Sequence, residues 1–285
     1  MSKTTRVALV TGSTDGIGKQ TALELLARGF RVIVHGRSDA RVASAIAELS
    51  KRDERAAQET RIDGWSCDLS SLAAIRAAAP SLLTRAPRLD VFLHNAGVYA
   101  QERAVTSEGF ELTLAVSHLA PFLLAHLLLP SLEAAAPARI VMVSSQVHLR
   151  GKLDFNNLQL ERGYSGIGSY AQAKLCNVLF ANGLAARFPT SVLTANSLHP
   201  GVVGTKLLKQ GFGMSDGPDS LSQGAQTSVF LASAPEVANI SGRYFDRSRE
   251  ATPAAAARSV ELREQLWSAS EALTGERWNL SPLAK

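Results

Sequence analysis

The sequence of 285 residues has few cysteines, few aromatic side chains and no region in which charge of one sign is concentrated. Its two cysteines, Cys67 and Cys176, are too few for a disulfide framework, and no group of residues has the spacing of a zinc site. The sequence therefore predicts no bound metal. It also favours a reducing, intracellular environment.

The positive charge of the chain is small and scattered. The 30 basic and 25 acidic side chains leave a net charge of +5 at pH 7. Basic residues such as Lys51, Arg52 and Arg61 lie among acidic ones, which is typical of a solvated helix face. Because no basic stripe is interleaved with aromatic residues, a nucleic acid is not an expected partner.

No segment has the composition of a targeting signal or of a membrane span. Residues 1–10 lack the charged, apolar and small-residue order of a secretory signal. The longest apolar stretch, residues 112–132, is interrupted by two histidines and two prolines. It therefore predicts a buried helix or a subunit contact rather than a membrane helix. We expect a cytoplasmic protein with no membrane anchor.

Short β-branched runs alternate with longer amphipathic stretches along the chain. The expected strands are residues 7–10, 31–35, 91–94, 140–143 and 192–197. The expected helices are residues 18–28, 40–59, 72–83, 110–132 and 170–188. The strands are continuous apolar runs, as a sheet covered on both faces requires. The pattern predicts an α/β fold with a doubly wound parallel sheet, in a single domain over residues 1–285 with a C-terminal tail at about 276–285.

The first expected strand leads directly into a glycine-rich turn and then into a helix. The turn consists of Gly12, Ser13, Thr14, Asp15, Gly16, Ile17 and Gly18. Glycines let the backbone approach a pyrophosphate closely, and the free N–H groups of the next helix favour a phosphate. The spacing Gly-x3-Gly-x-Gly differs from the usual Gly-x-Gly-x2-Gly, so the position between strand and helix carries the prediction. The alternative is a tight turn without a ligand.

The end of the second expected strand bears on the choice between NAD and NADP. NAD-preferring folds usually place an acidic residue there to hold the ribose hydroxyls, whereas this chain has Arg37. A guanidinium pairs well with a 2′-phosphate, so the sequence favours NADP(H) and leaves NAD(H) open as an alternative cofactor. The other reading of Arg37 is an exposed arginine at a strand end.

Five motifs then occur in a familiar order. They are Thr11-Gly12-x3-Gly16-Ile17-Gly18, Cys67-Asp68-Leu69, Asn95-Ala96-Gly97, Tyr170-x3-Lys174 and His199-Pro200-Gly201. With them the chain resembles the short-chain dehydrogenase/reductase family, in its single-domain, Rossmann-like form. It looks most like the retinol dehydrogenase-like branch. The segments that resemble that branch are residues 107–111, 122–124, 139–145, 157–159 and 266–267.

The resemblance implies contacts at the adenosine end of the cofactor. Asp68 would accept a hydrogen bond from the adenine amino group, with the Leu69 backbone alongside. Asn95, Ala96 and Gly97 would line the adenosine. Taken without the other motifs, Asp68 would equally suit a helix cap, and the Asn-Ala-Gly segment a plain turn.

The resemblance also implies contacts at the nicotinamide end. After Pro200 and Gly201, the Val202 backbone would contact the carboxamide, and Thr205 the carboxamide or the pyrophosphate. Residues 204–224 then predict a lid, a kind of segment that excludes water during the reaction. Its expected apolar contacts are Leu207, Leu208, Phe212 and Met214. The alternative is a disordered surface loop.

Tyr170 and Lys174 lie four residues apart, on one face of a helix. A free phenol has a pKa of about 10, which a nearby ammonium group lowers. Tyr170 would then give a proton to a carbonyl oxygen as hydride arrives from the nicotinamide, while Lys174 also holds the ribose. Ser145 would stabilise charge on the substrate oxygen; Ser144 is the other candidate, and the family pattern favours Ser145. The alternative is that these residues are merely polar groups at element ends.

One position departs from the family pattern. The branch usually shows Asn-His-Leu-Gly-His-Phe in the long helix, whereas this chain has Ser117-His118-Leu119-Ala120-Pro121-Phe122. Ser117 therefore stands where the resemblance places a fourth catalytic residue, an Asn that supports a water in the proton relay. A hydroxyl is shorter and offers one donor rather than two, so weaker catalysis is expected. Pro121 is also expected to bend the helix.

The substrate is predicted only by class. Residues 153–168 resemble an insertion of the retinol dehydrogenase-like branch, and we expect them to cover one side of the substrate pocket. The apolar lid and the lack of a basic clamp predict a lipophilic aldehyde, ketone or alcohol. Gln146 and His148 are candidates for the edge of the pocket, although a lone histidine is more often structural.

An NADP-dependent carbonyl reductase or alcohol dehydrogenase is the favoured function. The alternative is a catalytically weak NADP-binding regulator or scaffold on the same fold, since a fold does not determine a function. A sugar-nucleotide epimerase is disfavoured because it would need an additional C-terminal domain. The long helices suit a homodimer or a homotetramer.

Overall fold

Parallel strands and helices alternate over most of the chain. The computed structural model describes residues 5–213, 216–280 and 283. The strands are β1 (Val7–Val10), β2 (Arg31–Gly36), β3 (Ile62–Ser66), β4 (Val91–His94), β5 (Ala138–Val143), β6 (Leu193–His199), β7 (Tyr244–Asp246) and β8 (Arg249–Ala251). They form one sheet in the order β3-β2-β1-β4-β5-β6-β7-β8, parallel throughout except for the antiparallel pair of β7 and β8. The predicted doubly wound sheet is confirmed.

Helices connect the strands and cover the sheet. They are α1 (Gly16–Ala27), α2 (Asp39–Arg52), α3 (Glu54–Gln58), α4 (Leu72–Arg85), α5 (Leu112–Leu114), α6 (Ala120–Leu127), α7 (Leu129–Ala134), α8 (Gly166–Ala185), α9 (Lys206–Phe212), α10 (Leu221–Ser233) and α11 (Val260–Thr274). A π-helical segment, Ala115–Leu119, joins α5 to α6. A 3-10 helix, Gln146–Arg150, follows β5.

The sheet separates two hydrophobic cores. Successive side chains of a strand point to opposite faces, and β1 shows this directly. Leu9 packs with α4, α6, α8 and α11, whereas Ala8 and Val10 pack with α1, α2 and α10. Because both faces are covered, all four residues of β1 are buried, as the continuous apolar run predicts.

Three strands have no counterpart among the expected ones, and each has a physical reason. β3 is half-buried at the edge of the sheet, so its sequence, Ile-Asp-Gly-Trp-Ser, is not an apolar run. β7 and β8 have three residues each, and their short pairing leaves little periodicity to detect. The five expected strands all form, with bounds that differ by at most two residues.

Two expected helices are interrupted in the structure. Residues 40–59 were expected as one helix, but the helix ends at Arg52 and Asp53 caps α3 by accepting from the Ala56 N–H at 2.8 Å. The expected helix over residues 110–132 is divided into α5, the π-helical segment, α6 and α7. Prolines stand in the first turns of α6 and α7, where a missing N–H is tolerated.

The C-terminal residues pack against one of the two cores instead of extending from it. Trp278 is buried, and its ring lies 5.1 Å from that of Trp267 in α11 and 5.5 Å from that of Phe122 in α6. The Leu283 N–H donates to the Ala186 carbonyl at 2.7 Å. Residues 276–280 of the expected tail are therefore part of the packed structure.

Candidate active site

The glycine-rich turn lies at the carboxyl end of β1, where neighbouring strands hold it. The Gly12 N–H donates to Nδ1 of His35 at 3.0 Å, and the Asn95 amide donates to the carbonyls of Thr11 and Gly12 at 3.0 and 3.3 Å. Gly12 has a φ of +65°, and a β-carbon there would lie 2.9 Å from the Ala96 Cα. Glycine is therefore required at this position, and the turn is pressed against the residues that follow β4.

A neutral histidine fixes this turn. Burial lowers the pKa of His35 to about 4, so the imidazole is uncharged at physiological pH. Nδ1 accepts from Gly12, and Nε2 therefore carries the proton and donates to the Cys67 carbonyl at 3.1 Å. The Ser13 hydroxyl donates to the Val10 carbonyl at 2.7 Å and accepts from the His35 N–H. Ser13 is a predicted cofactor residue, but in this structure its hydroxyl bonds to the protein backbone on both sides.

Three other residues of the turn set its packing. The Thr14 side chain lies over Gly36 at the end of β2, and Ile17 lies against α10. A β-carbon on Gly18 would lie 2.4 Å from the Gly12 carbonyl oxygen, so the first turn of α1 packs against the turn that precedes it. The free N–H groups of α1 are therefore held at the carboxyl edge of the sheet, where the sequence predicts a phosphate.

Asp15 occupies the cap position of α1. Its Oδ1 accepts from the Gly16 N–H at 2.8 Å, and its Oδ2 lies 2.5 Å from Nζ of Lys206, the first residue of α9. The hydrogen bond from Lys206 is the main cause of the lowered pKa of Asp15. The mouth of the predicted phosphate site thus holds a carboxylate and an ammonium group.

The residues predicted for the adenosine end follow three neighbouring strands: Arg37 follows β2, Asp68 and Leu69 follow β3, and residues 95–97 follow β4. Arg37 follows β2 and is exposed; within residues 5–213, 216–280 and 283 its side chain makes no hydrogen bond or ion pair. Asp68 is exposed, and its Oδ1 accepts from the N–H and the hydroxyl of Ser70 at 2.9 and 2.8 Å. Ser71, and not Asp68, caps α4. Leu69 is buried in the core, which leaves its backbone to line this end.

Ser145, Tyr170 and Lys174 come together at the ends of β5 and α8. The Tyr170 hydroxyl and Ser145 share a hydrogen bond, and the Lys174 ammonium lies 5.5 Å from the centre of the Tyr170 ring. Ser144 points the other way, because its hydroxyl donates to the Lys174 carbonyl at 2.7 Å. A β-carbon on Gly97 would lie 3.2 Å from Nζ of Lys174, so the loop after β4 borders the same space.

The protonation of this group is controlled by burial. Burial raises the pKa of Tyr170, and the hydrogen bond with Ser145 opposes the rise. Burial also lowers the pKa of Lys174 to about 8. Lys174 donates to the Val143 carbonyl at 2.9 Å, to which the Asn177 amide also donates. The expected lowering of the Tyr170 pKa by Lys174 is therefore not found: desolvation of the phenol raises this pKa, and the opposing effect comes from Ser145.

Ser117 lies in the π-helical segment, close to Lys174. Its hydroxyl is fully buried and has no hydrogen-bond partner within the part of the chain that the structure describes. A β-carbon on Gly97 would lie 3.8 Å from the Ser117 hydroxyl oxygen and 3.2 Å from Nζ of Lys174, so both side chains border the same space. Pro121 has no N–H, so the Ser117 carbonyl lacks the donor that an α-helix would supply four residues later. The expected bend at Pro121 takes the form of this π-helical segment.

The residues predicted for the nicotinamide end form a turn that Asp219 closes. The Val202 N–H donates to Oδ2 of Asp219 at 2.7 Å, and the Val202 carbonyl accepts from the Asp219 N–H at 3.1 Å. Gly201, with a φ of +89°, packs against the same carboxylate. The Val202 N–H is therefore already paired, whereas the Val202 carbonyl keeps a second lone pair for the predicted contact with a carboxamide. Pro200 precedes the turn and links it to β6.

The predicted lid contains α9 and approaches the catalytic group. Thr205 caps α9, and its methyl group faces Gly16 in the glycine-rich turn. A β-carbon on Gly211 would lie 2.8 Å from the Tyr99 ring, whose centre is 6.0 Å from that of Tyr170. Leu207 and Leu208 are half-buried. Of the two other predicted contacts, Met214 and the side chain of Phe212 lie outside the described part of the chain.

The insertion before α8 lies on the other side of Tyr99. The Tyr164 hydroxyl donates to the Ala100 carbonyl at 2.8 Å, and a β-carbon on Gly166 would lie 2.7 Å from the Tyr99 hydroxyl. Farther back, the Gln172 amide donates to the Leu158 carbonyl. The insertion is therefore held beside the space that Tyr99 and Tyr170 border.

His148 is a structural residue in this structure. It is fully buried, its Nδ1 donates to the Ser145 carbonyl at 2.7 Å, and its Nε2 accepts from the Ala254 N–H at 3.1 Å. Of the two readings that the sequence left open for His148, the structure supports the structural one, since both ring nitrogens have backbone partners. Gln146 is exposed beside Ser145.

Sequence reasoning missed several residues of this site. Tyr99, Lys206 and Asp219 lie at it because the lid and the loop after β4 meet there, and no spacing in the sequence signals such a contact. Asn177 has a local signal, since it lies one helical turn after Lys174 and shares its partner, the Val143 carbonyl.

Three further observations concern metal ligands, membrane-spanning helices and the two cysteines, in addition to the site described above. Within residues 5–213, 216–280 and 283, no group of three or more His, Cys, Asp or Glu residues is placed to hold a metal ion. Over the same residues, no helix combines the length and the apolar character that crossing a membrane requires. Cys67 and Cys176 are buried free thiols.

Comparison with protein families gives a match over most of the chain. The short chain dehydrogenase family matches residues 6–214. Human retinol dehydrogenase 14 is 37% identical over 95% of this chain and 86% of its own length. Human dehydrogenase/reductase SDR family member 13 is 40% identical over 95% of this chain and 73% of its own. Bovine retinol dehydrogenase 12 is 37% identical over 96% of this chain and 87% of its own.

Solved structures share the fold. An uncharacterized protein from Mycobacterium paratuberculosis superposes with a TM-score of 0.79 at 28% identity, over 96% of this chain and 95% of its own. A short chain dehydrogenase from Escherichia coli, described as complexed with NADPH, superposes with a TM-score of 0.69 at 24% identity, over 86% of this chain and 97% of its own.

Proposed function

Since the chain belongs to the short-chain dehydrogenase family, we propose that it is an NADP(H)-dependent oxidoreductase for lipophilic carbonyl compounds and alcohols. The cofactor, when bound, supplies or accepts the hydride. The residues of this chain bind and orient the two reactants and move the proton. The observation that carries the proposal is the group of Ser145, Tyr170 and Lys174, which the loop after β4 links to the glycine-rich turn.

Tyr170 is the proposed acid and base. Its hydroxyl bonds to Ser145, so a carbonyl oxygen that replaced this mutual bond would receive one hydrogen bond from each hydroxyl. In reduction Tyr170 gives its proton to this oxygen, and in oxidation the phenolate takes the proton back. Burial raises the pKa of Tyr170, so the phenol carries its proton at neutral pH, which is the form that reduction requires.

Lys174 is proposed to bind the nicotinamide ribose and to stabilise the phenolate. Its ammonium already has one acceptor, the Val143 carbonyl, and lies next to Gly97. Two of its three protons are left for other acceptors. Asn177 donates to the same carbonyl and so helps to fix the position of the ammonium.

NADP(H) is proposed as the cofactor because a positive side chain stands where NAD-binding folds hold ribose hydroxyls with a carboxylate. Arg37 is exposed at the end of β2 with no competing partner among the described residues, so its guanidinium is available to a 2′-phosphate. The Escherichia coli relative of the same fold was solved with NADPH. NAD(H) stays a weaker alternative.

A lipophilic substrate is proposed from the borders of the space beside Tyr170. Tyr99, the lid helix α9 and the insertion surround it, and retinol dehydrogenases are among the relatives. The cytoplasmic location and an oligomeric assembly stay predictions.

Turnover of purified protein tests the proposal. NADPH oxidation is followed against long-chain aldehydes, aromatic ketones and retinaldehyde, each with NADH as the comparison. We expect turnover of at least one lipophilic carbonyl, with NADPH preferred. Preference for NADPH should disappear in Arg37→Met. Equal kinetics with the two cofactors in the unmodified protein would contradict the assignment of Arg37.

The second candidate function is an NADP-binding regulator with weak catalysis, and Ser117 is the observation that favours it. NADPH binding without turnover of any carbonyl would support this alternative. Ser117→Asn, which restores the amide that the family pattern contains, separates the two readings. A gain in kcat in this variant indicates an enzyme whose relay is impaired, whereas unchanged inactivity favours a regulator.

A further inference from the structure

The glycine-rich turn contains no cationic side chain. Its only charged residue is Asp15, whose carboxylate caps α1 and faces the position predicted for a pyrophosphate. A diphosphate brought to this helix end gains the free N–H groups of α1, but it also meets the negative charge of Asp15. A site of this composition binds a diphosphate well only if a cation from another element offsets Asp15.

Two lysines are close enough to affect Asp15. Lys19, in α1, bonds to Glu48 at 2.5 Å, so its charge is already paired. Lys206 bonds to Asp15 itself, at 2.5 Å from Oδ2, and comes from the lid rather than from the turn. Lys206 is 77% exposed, which leaves room for its ammonium to turn from one oxygen acceptor to another.

The position of α9 keeps Lys206 over the helix end. Thr205, the preceding residue, lies against Gly16, with its methyl group 3.6 Å from where a β-carbon would stand. Thr205 also caps α9 by accepting from the Leu208 N–H at 3.2 Å. The start of α9 and the start of α1 are therefore neighbours. This position of the backbone places the Lys206 side chain next to the glycine-rich turn.

On this basis, and resting on the proposed function, we propose that Lys206 is a pyrophosphate-binding residue delivered by the lid. Without cofactor, Asp15 holds the ammonium in place. When a diphosphate enters, the ammonium bridges the diphosphate and Asp15, and it neutralises the repulsion between them. The lid thus binds to the phosphates directly, while the negative charge of Asp15 opposes the diphosphate until the ammonium offsets it.

The chain offers a matched control for Lys206. Lys209 lies three residues later on α9, has the same charge and is exposed. Its side chain has no hydrogen bond or ion pair with any residue in the described ranges. Lys206→Met and Lys209→Met therefore remove the same charge from the same helix, and they differ in the contact with Asp15.

The experiment measures binding of two ligands by calorimetry. NADPH contains the pyrophosphate, and adenosine 2′-monophosphate has only the 2′-phosphate. We expect Lys206→Met to weaken NADPH binding about tenfold, the size of one lost charge-assisted contact. Binding of adenosine 2′-monophosphate should stay within about twofold. Lys209→Met should leave both unchanged, whereas Arg37→Met should weaken both.

Asp15→Asn separates a phosphate ligand from a simple latch on the lid. Asparagine keeps the cap of α1 and removes the negative charge. If Lys206 binds the pyrophosphate, Asp15→Asn tightens NADPH binding while Lys206→Met weakens it, so the two shifts have opposite signs. A latch that only holds the lid would give shifts of the same sign, because both changes break one ion pair.

Each outcome decides between the proposals. Wild-type affinity for NADPH in Lys206→Met, or an equal loss in Lys206→Met and Lys209→Met, overturns the role of Lys206 and leaves the proposed function intact. If the unmodified protein fails to bind NADPH, the proposed function is itself overturned, and the role of Lys206 with it.

Discussion

The buried phenol of Tyr170 leads to the most specific prediction for a single side chain. Tyr170→Phe removes the proton and keeps the ring, so we expect carbonyl reduction to fall about 100-fold or more. The NADPH dissociation constant should change little, because the ring still fills its place beside Tyr99. Steady-state kinetics and calorimetry measure the two quantities. A variant that keeps near-normal turnover would contradict the assignment of Tyr170.

The lowered pKa of Lys174 predicts a pH dependence of the reaction. Burial disfavours the charged form and brings the pKa to about 8, so the ammonium loses its proton as pH rises through that value. We expect kcat for reduction to decline above about pH 8. The penalty for burying the charge is fully present below pH 8, so the same group should make the protein more stable as pH rises from about 8 to 10.

Lys174→Arg provides the control for this profile. An arginine stays charged over the whole accessible range, so the decline near pH 8 should vanish in whatever activity the variant retains. A decline that persists in Lys174→Arg would assign the titration to another group.

Single residues also show where sequence reasoning about the site reaches its limit. Tyr170, Lys174 and Ser145 could be proposed because the family resemblance names them, and a helical spacing and a strand end account for their meeting. Asp219 could not, since its contact with Val202 joins residues 17 positions apart across a turn that has no regular period. The sequence could not decide between a structural and a pocket role for His148, because its partner, the Ala254 N–H, comes from a segment 106 residues away.

At the scale of secondary structure elements, the contact of α9 with Tyr99 predicts how the lid closes. A β-carbon on Gly211 would lie 2.8 Å from the Tyr99 ring, so Gly211→Ala should hold α9 away from the site. We expect a raised KM for the carbonyl substrate, about threefold or more, because the lid then covers the site less completely.

A double-mutant cycle tests this contact. With Tyr99→Ala in place, the ring is gone and Gly211→Ala should have no additional effect on KM. Additive effects of the two substitutions would show that Gly211 acts elsewhere.

The division of the expected helix over residues 110–132 shows what a pattern of apolar residues leaves undetermined. The apolar run correctly predicted a buried segment, and most of its residues are fully buried. The run could not predict the π-helical segment, because that depends on how the backbone is accommodated around Pro121. Ser117 owes its position beside Lys174 to this segment.

At the scale of the whole molecule, the packing of the C-terminal residues predicts a stability effect. Trp278 is 4% exposed and contacts Trp267 and Phe122, so Trp278→Ala removes a large side chain from the core. We expect the free energy of unfolding to fall by about 3 kcal/mol. Urea unfolding followed by far-UV circular dichroism measures it.

The same variant should bind NADPH normally, since Trp278 lies in the core and away from the turn that precedes α1. Loss of cofactor affinity in parallel with stability would indicate that this packing also shapes the site. Arg187, whose guanidinium lies 3.7 Å from the centre of the Trp267 ring, gives a second position at which to test the cluster.

The sequence predicts more of the fold than of the candidate site. Alternation of apolar runs and amphipathic stretches determines a parallel sheet with covered faces, and the structure has it. The edges of the sheet could not be predicted in this way. β3, β7 and β8 are short or half-exposed, and they are stabilised by pairing with neighbours rather than by apolar runs of their own.

The antiparallel strand β8 has a consequence for assembly. It is the outermost strand beyond β7, and its Arg249 and Glu250 side chains are exposed. Charged residues on an edge strand oppose the addition of another strand, because a neighbouring backbone would have to pair alongside them. Two subunits of this protein are therefore not expected to share a continuous sheet through β8.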